Sequence, residues 1–168
     1  MRPDLFPVPG PWRGELAVIT RPRGGDWLDS EVSGWRQAGL DLVVSLLEPD
    51  EAAGLGLSRE SMAAEMTGIQ AISFPIPDRD VPASIPATFG LLKKITDALD
   101  SGKRVAVHCR QGIGRSGLIA VATLAMSGVH VDDAIETVSK ARGLRVPETS
   151  AQLRWLEAFH AGIPVESP

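Results

Sequence analysis

Apolar residues in this chain fall into a few short, unbroken runs, and amphipathic stretches lie between and after them. Leu42 to Leu47 (LVVSLL) is too short and too continuously apolar to be one face of a helix, so it predicts a strand buried on both sides. Ile69 to Phe74 and Arg104 to His108 have the same character, and Leu16 to Thr20 is a shorter β-branched run ahead of them. Helices are predicted at Trp27 to Ala38, with Asp26 as N-cap, at Ser58 to Met66, and at Ala87 to Leu99, closed by Ser101-Gly102. Beyond Cys109 the pattern is entirely helical: Ser116 to Met126 ended by Ser127-Gly128, then Val131 to Arg142, then Thr149 to Phe159. Strands alternating with helices predict an α/β fold, a central, mostly parallel sheet of four or five strands flanked by helices, with a central strand ending at Cys109.

Proline and glycine punctuate the start. Residues 1–14 (MRPDLFPVPGPWRG) hold four prolines and read as an extended strap, 15–162 as one domain, and 163–168 as a tail. A chain of 168 residues, 43% apolar and 23% charged, is long enough for one core without help from a disulfide or structural metal. The net charge of −4 argues against nucleic-acid or anionic-membrane binding through the whole surface, yet leaves room for one basic pocket. No stretch approaches the roughly 18 apolar residues of a membrane span, and the first residues lack a signal-peptide core, so a cytoplasmic, unprocessed protein is expected. Cys109 is the only cysteine, which excludes an internal disulfide and a multi-cysteine zinc site and suits a reducing compartment. His130 and His160 lack partners at ligand spacing and read as surface residues; no metal and no cofactor is expected.

The chemistry concentrates in VAVHCRQGIGRSG, Val105 to Gly117. A buried strand runs into a loop with Gly112 and Gly114, and a long apolar helix starts near Arg115. Glycines let successive amides turn toward one centre, and the helix N-terminus adds partial positive charge, so the segment predicts an anion site sized for phosphate. From Ser101 to Val131 there are four basic residues, Lys103, Arg104, Arg110 and Arg115, and no Asp or Glu, within an acidic protein. A thiol at the head of such a nest is stabilised as thiolate; comparable sites lower a cysteine pKa to about 3.5–7.5. Cys109 is therefore a candidate nucleophile.

His108-Cys109, five residues, then Arg115-Ser116-Gly117 resembles the H-C-x5-R-[ST] signature of the cysteine-dependent protein tyrosine and dual-specificity phosphatases. FPIPDRDVP, VVSLLE and PETSAQ are similar to segments of the small atypical dual-specificity phosphatases of the Cdc14-related branch, so the resemblance spans about Leu16 to Phe159. It implies a protein tyrosine phosphatase-like fold and a set of roles. Cys109 attacks phosphorus and becomes a phosphocysteine. Arg115 forks around two phosphoryl oxygens, and Arg110, Gln111, Gly112, Ile113 and Gly114 complete the phosphate cradle. Ser116 hydrogen-bonds the sulfur, and His108 orients the loop through backbone contacts. A planar, permanently charged guanidinium is what spreading phosphoryl charge requires.

The leaving oxygen needs a proton donor. Asp78, 31 residues before Cys109 in a proline-bracketed loop, is the candidate acid, with Asp80 as competitor. The family's Trp-Pro-Asp form is absent; Phe74 and Ile76 stand nearby instead. Gln152 resembles the glutamine that aligns the hydrolytic water, and Glu48, at a strand end, is a candidate partner for Arg115. The expected activity is hydrolysis of phosphotyrosine, with phosphoserine and phosphothreonine as further candidates, on a phosphorylated protein or peptide partner; oligomeric state is open. With no tyrosine and 5% aromatics, a shallow, permissive pocket is expected. The alternatives are a phosphoinositide or other non-protein phosphate ester, a phosphate-binding module without turnover, and sulfur transfer or arsenate reduction by the same thiolate.

Overall fold

The computed structural model describes residues 3–162, so the tail assigned to 163–168 lies outside the described residues. Each apolar run forms a strand: β2 (Glu15–Ile19), β3 (Leu42–Ser45), β4 (Gln70–Ser73) and β5 (Arg104–His108). They are parallel to one another, and an antiparallel edge strand, β1 (Leu5–Val8), completes the order β1-β2-β5-β3-β4. Side chains alternate along the strands, which divides the core. Val105 and Val107 face the layer made by α4 (Ile85–Asp100), α5 (Gly114–Met126), α6 (Val131–Arg142) and α7 (Ser150–Gly162), whereas Ala106 joins Val43, Trp35 and Val32 beneath α1 (Leu28–Gln37) and α3 (Glu60–Met66).

The central strand β5 is fully enclosed from Val105 to His108, and α5, buried from Gly114 through Ala125, runs straight into the interior. A helix this apolar on all sides is one that other helices surround. Together β5 and α5 hold the intervening loop between two rigid elements.

Four expectations need correction. The strap is more than a strap: Leu5 to Val8 pairs residue by residue with β2, Leu5 against Ile19 and Val8 against Leu16, and the Trp12 indole donates to Ser127 Oγ at 2.8 Å. An edge strand tolerates Pro7, whose missing N–H would break an interior ladder. Asp26 does not cap α1; it lies inside a single 3-10 turn, Gly25–Trp27, and Trp27 occupies the cap position without a side-chain bond. Glu48 does not end a strand beside the loop. Pro49 starts a short helix, α2 (Pro49–Gly54), and Glu48 is its N-cap, its N–H donating to Glu51 Oε1 at 3.2 Å. Finally, His130 is exposed and caps α6, but His160 is half-buried against it, ring centroids 4.8 Å apart.

Candidate active site

Cys109 follows the last residue of β5, and its sulfur faces the first turn of α5. The Gly112 N–H donates to Cys109 Sγ at 3.3 Å, and the Ser116 hydroxyl lies 3.2 Å away. Gly112 reaches this position with φ of +70°, which glycine adopts without strain. Burial by itself would push the thiol pKa up. The Ser116 hydroxyl and the amides of Ser116, Ile113 and Gly112 outweigh it, and the thiol is held below its ordinary value.

The loop keeps this shape because its carbonyls are pinned outward. Arg142, at the end of α6, donates from Nε to Gly112 O at 2.8 Å and from Nη2 to Gln111 O at 3.1 Å, and its guanidinium lies 4.2 Å over the Phe6 ring of β1. A trans peptide points its C=O and N–H in opposite directions, so drawing Gln111 O out turns the Gly112 N–H in toward sulfur. The same argument applies to Gly112 O and the Ile113 amide. Arg142 was not among the residues picked out from sequence.

Arg115 is buried, and its Nη1–Nη2 end is taken by Glu51 through two bonds of 2.8 Å. Nη1 also donates to Ile76 O at 2.9 Å. Glu51, not Glu48, is therefore the partner: Pro49 turns the chain into α2, and the third residue of that turn points inward. Burial works against the guanidinium's charge, but Glu51, Cys109 and Asp78 raise its pKa further above the usual value. Arg115 in turn holds the Glu51 carboxyl below its ordinary value. The side edge of the guanidinium, Nε–H with the outer Nη2–H, can grip an anion, and Asp78 Oδ1 stands 3.2 Å from that Nη2.

His108 is wholly enclosed. Its Nδ1 lies 3.2 Å from Cys109 O and its Nε2 lies 2.8 Å from Glu60 Oε2, a carboxylate contributed by α3. The Nδ1 contact is to the backbone of the neighbouring residue, whereas the Glu60 contact, across 48 residues, had no local sequence signal.

A cavity of about 110 Å³ is lined by Cys109, Arg110, Gln111, Gly114 and Arg115 from the loop and helix start, and by Asp78, Arg79 and Glu148 from outside it. Asp80 does not line the cavity; its carboxylate accepts the Val81 N–H at 2.8 Å. Gln152 is fully buried. Its Nε2 donates to Asp80 O at 3.1 Å and its Oε1 accepts from the Glu148 and Thr149 amides. A side chain at Gly114 would collide with Glu148 and Gln152 at about 3 Å, so this glycine admits them to the helix N-terminus. Thus Cys109, Arg115, Ser116 and Asp78 come together, Gln152 lies beside Gly114 without lining the cavity, and Glu48 stays outside.

A mostly parallel sheet whose central strand ends at a thiol cradled by the next helix is the arrangement expected of a cysteine-dependent phosphatase. The chain belongs to the dual specificity phosphatase family: residues 34–161 match the model of its catalytic domain. It is 28% identical over 156 residues to protein tyrosine phosphatase type IVA 3 of Bos taurus, covering 91% of this chain and 83% of that protein. The structure of Tk-PTP in its active form is 30% identical, with a TM-score of 0.74 over 89% of this chain and 94% of that one. Kinase associated phosphatase, in a form with its catalytic site cysteine replaced by serine, shares the fold at a TM-score of 0.89 and 17% identity, covering 97% of each chain. Among the described residues no helix is long and apolar enough to cross a membrane.

Proposed function

We propose that this phosphatase removes phosphate from phosphotyrosine, and also from phosphoserine and phosphothreonine, in proteins or peptides of a reducing compartment such as the cytoplasm. The observation that carries the proposal is the convergence at Cys109 Sγ, within 3.2–3.3 Å of a hydroxyl and an inward amide, beside an arginine whose free edge faces an aspartate.

In the first step the Cys109 thiolate attacks phosphorus, the P–O bond to the leaving group breaks, and Asp78 gives its proton to the departing oxygen. Arg115 binds two phosphoryl oxygens by its side edge, displacing Asp78 from Nη2 toward the leaving group. The inward amides of residues 110–114 take the remaining charge. Glu51 holds the far end of the guanidinium, so the fork is already aimed and the transition state gains from a preorganised site. In the second step a water attacks the phosphocysteine and Asp78 takes its proton. Gln152, released from Asp80 O, aligns that water. Sulfur leaves as thiolate, eased by the Ser116 hydroxyl.

Rapid acid quench during turnover of p-nitrophenyl phosphate in EDTA, followed by mass spectrometry, tests this reading. A phosphoryl group on the Cys109 peptide, absent from Cys109→Ser, is expected. Steady turnover by Cys109→Ser would refute it. A parallel panel of phosphotyrosine and phosphothreonine peptides and a phosphoinositide reads the substrate class; faster turnover of the lipid than of both peptides would overturn the protein assignment.

A further inference from the structure

Three consecutive residues of the 78–80 segment are each tied to a different part of the site. Asp78 meets Arg115, Arg79 Nη1 donates to Glu148 Oε1 at 2.7 Å, and Asp80 O accepts from Gln152. The middle tie is unlike the others. Asp78 and Gln152 have chemistry to perform, and each must let go of its partner to perform it, whereas Arg79 and Glu148 touch neither the sulfur nor the Arg115 fork. Both line the cavity that Cys109 lines, and their bond joins the acid segment to the turn before α7. Glu148 is half-buried, its backbone N–H fixed by Gln152, so it is the rigid side of the bond; Arg79 is the exposed, movable side.

We infer that the Arg79–Glu148 pair is a latch that keeps the acid segment over the phosphate cradle while Asp78 and Gln152 exchange partners. Both are positioning residues, acting through Asp78. When a phosphoryl group takes the Arg115 edge, Asp78 loses its tether there. With its ends fixed by Ile76 and by Val81 packed on the core, the tip of the segment then keeps two ties to the site, Arg79 to Glu148 and the Asp80 carbonyl to Gln152, and the second is given up when Gln152 turns to water. Latching matters to the degree that the proton on Asp78 matters. Esters with poor leaving groups depend on it, and esters whose oxygen departs as a stable anion depend on it little. The pair also neutralises a carboxylate that would otherwise face an incoming dianion.

The inference rests on the reading of Asp78 as the acid, and the test separates the two. Arg79→Asn is the variant of choice, because Arg79 has φ of +62° and asparagine tolerates that conformation, so the cation is lost while the backbone is kept. Turnover of phenyl phosphate and p-nitrophenyl phosphate is compared for wild type, Arg79→Asn, Glu148→Gln, the double variant and Asp78→Ala. An exposed ion pair of this kind is worth about two- to fivefold in an equilibrium. Each single variant is therefore expected to lower the phenyl to p-nitrophenyl rate ratio by about two- to fivefold, with the double variant no lower than either. Added salt should lower the ratio in wild type and not in the double variant. A ratio unchanged in Arg79→Asn while Asp78→Ala collapses it overturns the latch alone. A ratio unchanged in Asp78→Ala overturns the acid assignment and the latch with it. Additive losses in the double variant overturn the pairing.

Discussion

Glu51 and Arg115 face each other through two parallel hydrogen bonds of 2.8 Å, the carboxylate coming from a one-and-a-half-turn helix that begins at Pro49. Both side chains are nearly enclosed, at 10% and 1% exposure, so the pair is shielded from the screening that makes surface ion pairs weak. Removing one partner leaves an uncompensated buried charge. Glu51→Ala is expected to cost about 3–5 kcal/mol of unfolding free energy in urea and most of the turnover. Glu48→Ala, which loses only the cap, should cost about 1 kcal/mol and leave turnover nearly intact.

The same pair predicts an acid limb of stability. The Glu51 carboxyl has a lower pKa folded than unfolded, so its contribution is fully present above the ordinary carboxylate value and is lost as pH falls through the lowered folded value. Urea midpoints measured from neutral pH downward should fall more steeply for wild type than for Glu51→Gln. Parallel curves would contradict the assignment.

Asp78 and Asp80 are separated by what they touch. Asp78 borders the cavity and meets Arg115, whereas the Asp80 carboxylate is used by the Val81 amide. Asp78→Ala should slow phenyl phosphate by about 100-fold or more and p-nitrophenyl phosphate far less. Asp80→Ala should slow both alike. The reverse pattern would reassign the acid.

Arg115→Lys should lose far more activity than Arg110→Lys. A lysine cannot span Glu51 and two phosphoryl oxygens at once, while Arg110 is an exposed residue lining the cavity that contributes chiefly its backbone. Comparable losses in kcat/KM would argue against the fork.

Much of this architecture was legible in the sequence because it is local. The strand, the glycine loop and the apolar helix from Val105 to Met126 are contiguous, and their residue types admit few other readings. What the sequence hid was either disguised or distant. Pro7 within Leu5 to Val8, with Pro3 and Pro9 on either side, masked an edge strand that tolerates it. The choice between Glu48 and Glu51 turned on one helical turn started by Pro49. Glu60, Arg142 and the Arg79–Glu148 bond join residues 48, 30 and 69 positions apart, across elements that only the folded sheet brings together. No pattern of spacing marks such pairs in a single chain.

Ultraviolet titration of the Cys109 thiolate, taken as the difference between wild type and Cys109→Ser, reads the sulfur charge on which the whole mechanism depends. The Ser116 hydroxyl and the inward amides should place the midpoint below the roughly 8.5 of a free thiol, and Ser116→Ala should move it upward, because the largest stabilising contact is gone. A wild-type midpoint at or above the free-thiol value would contradict it.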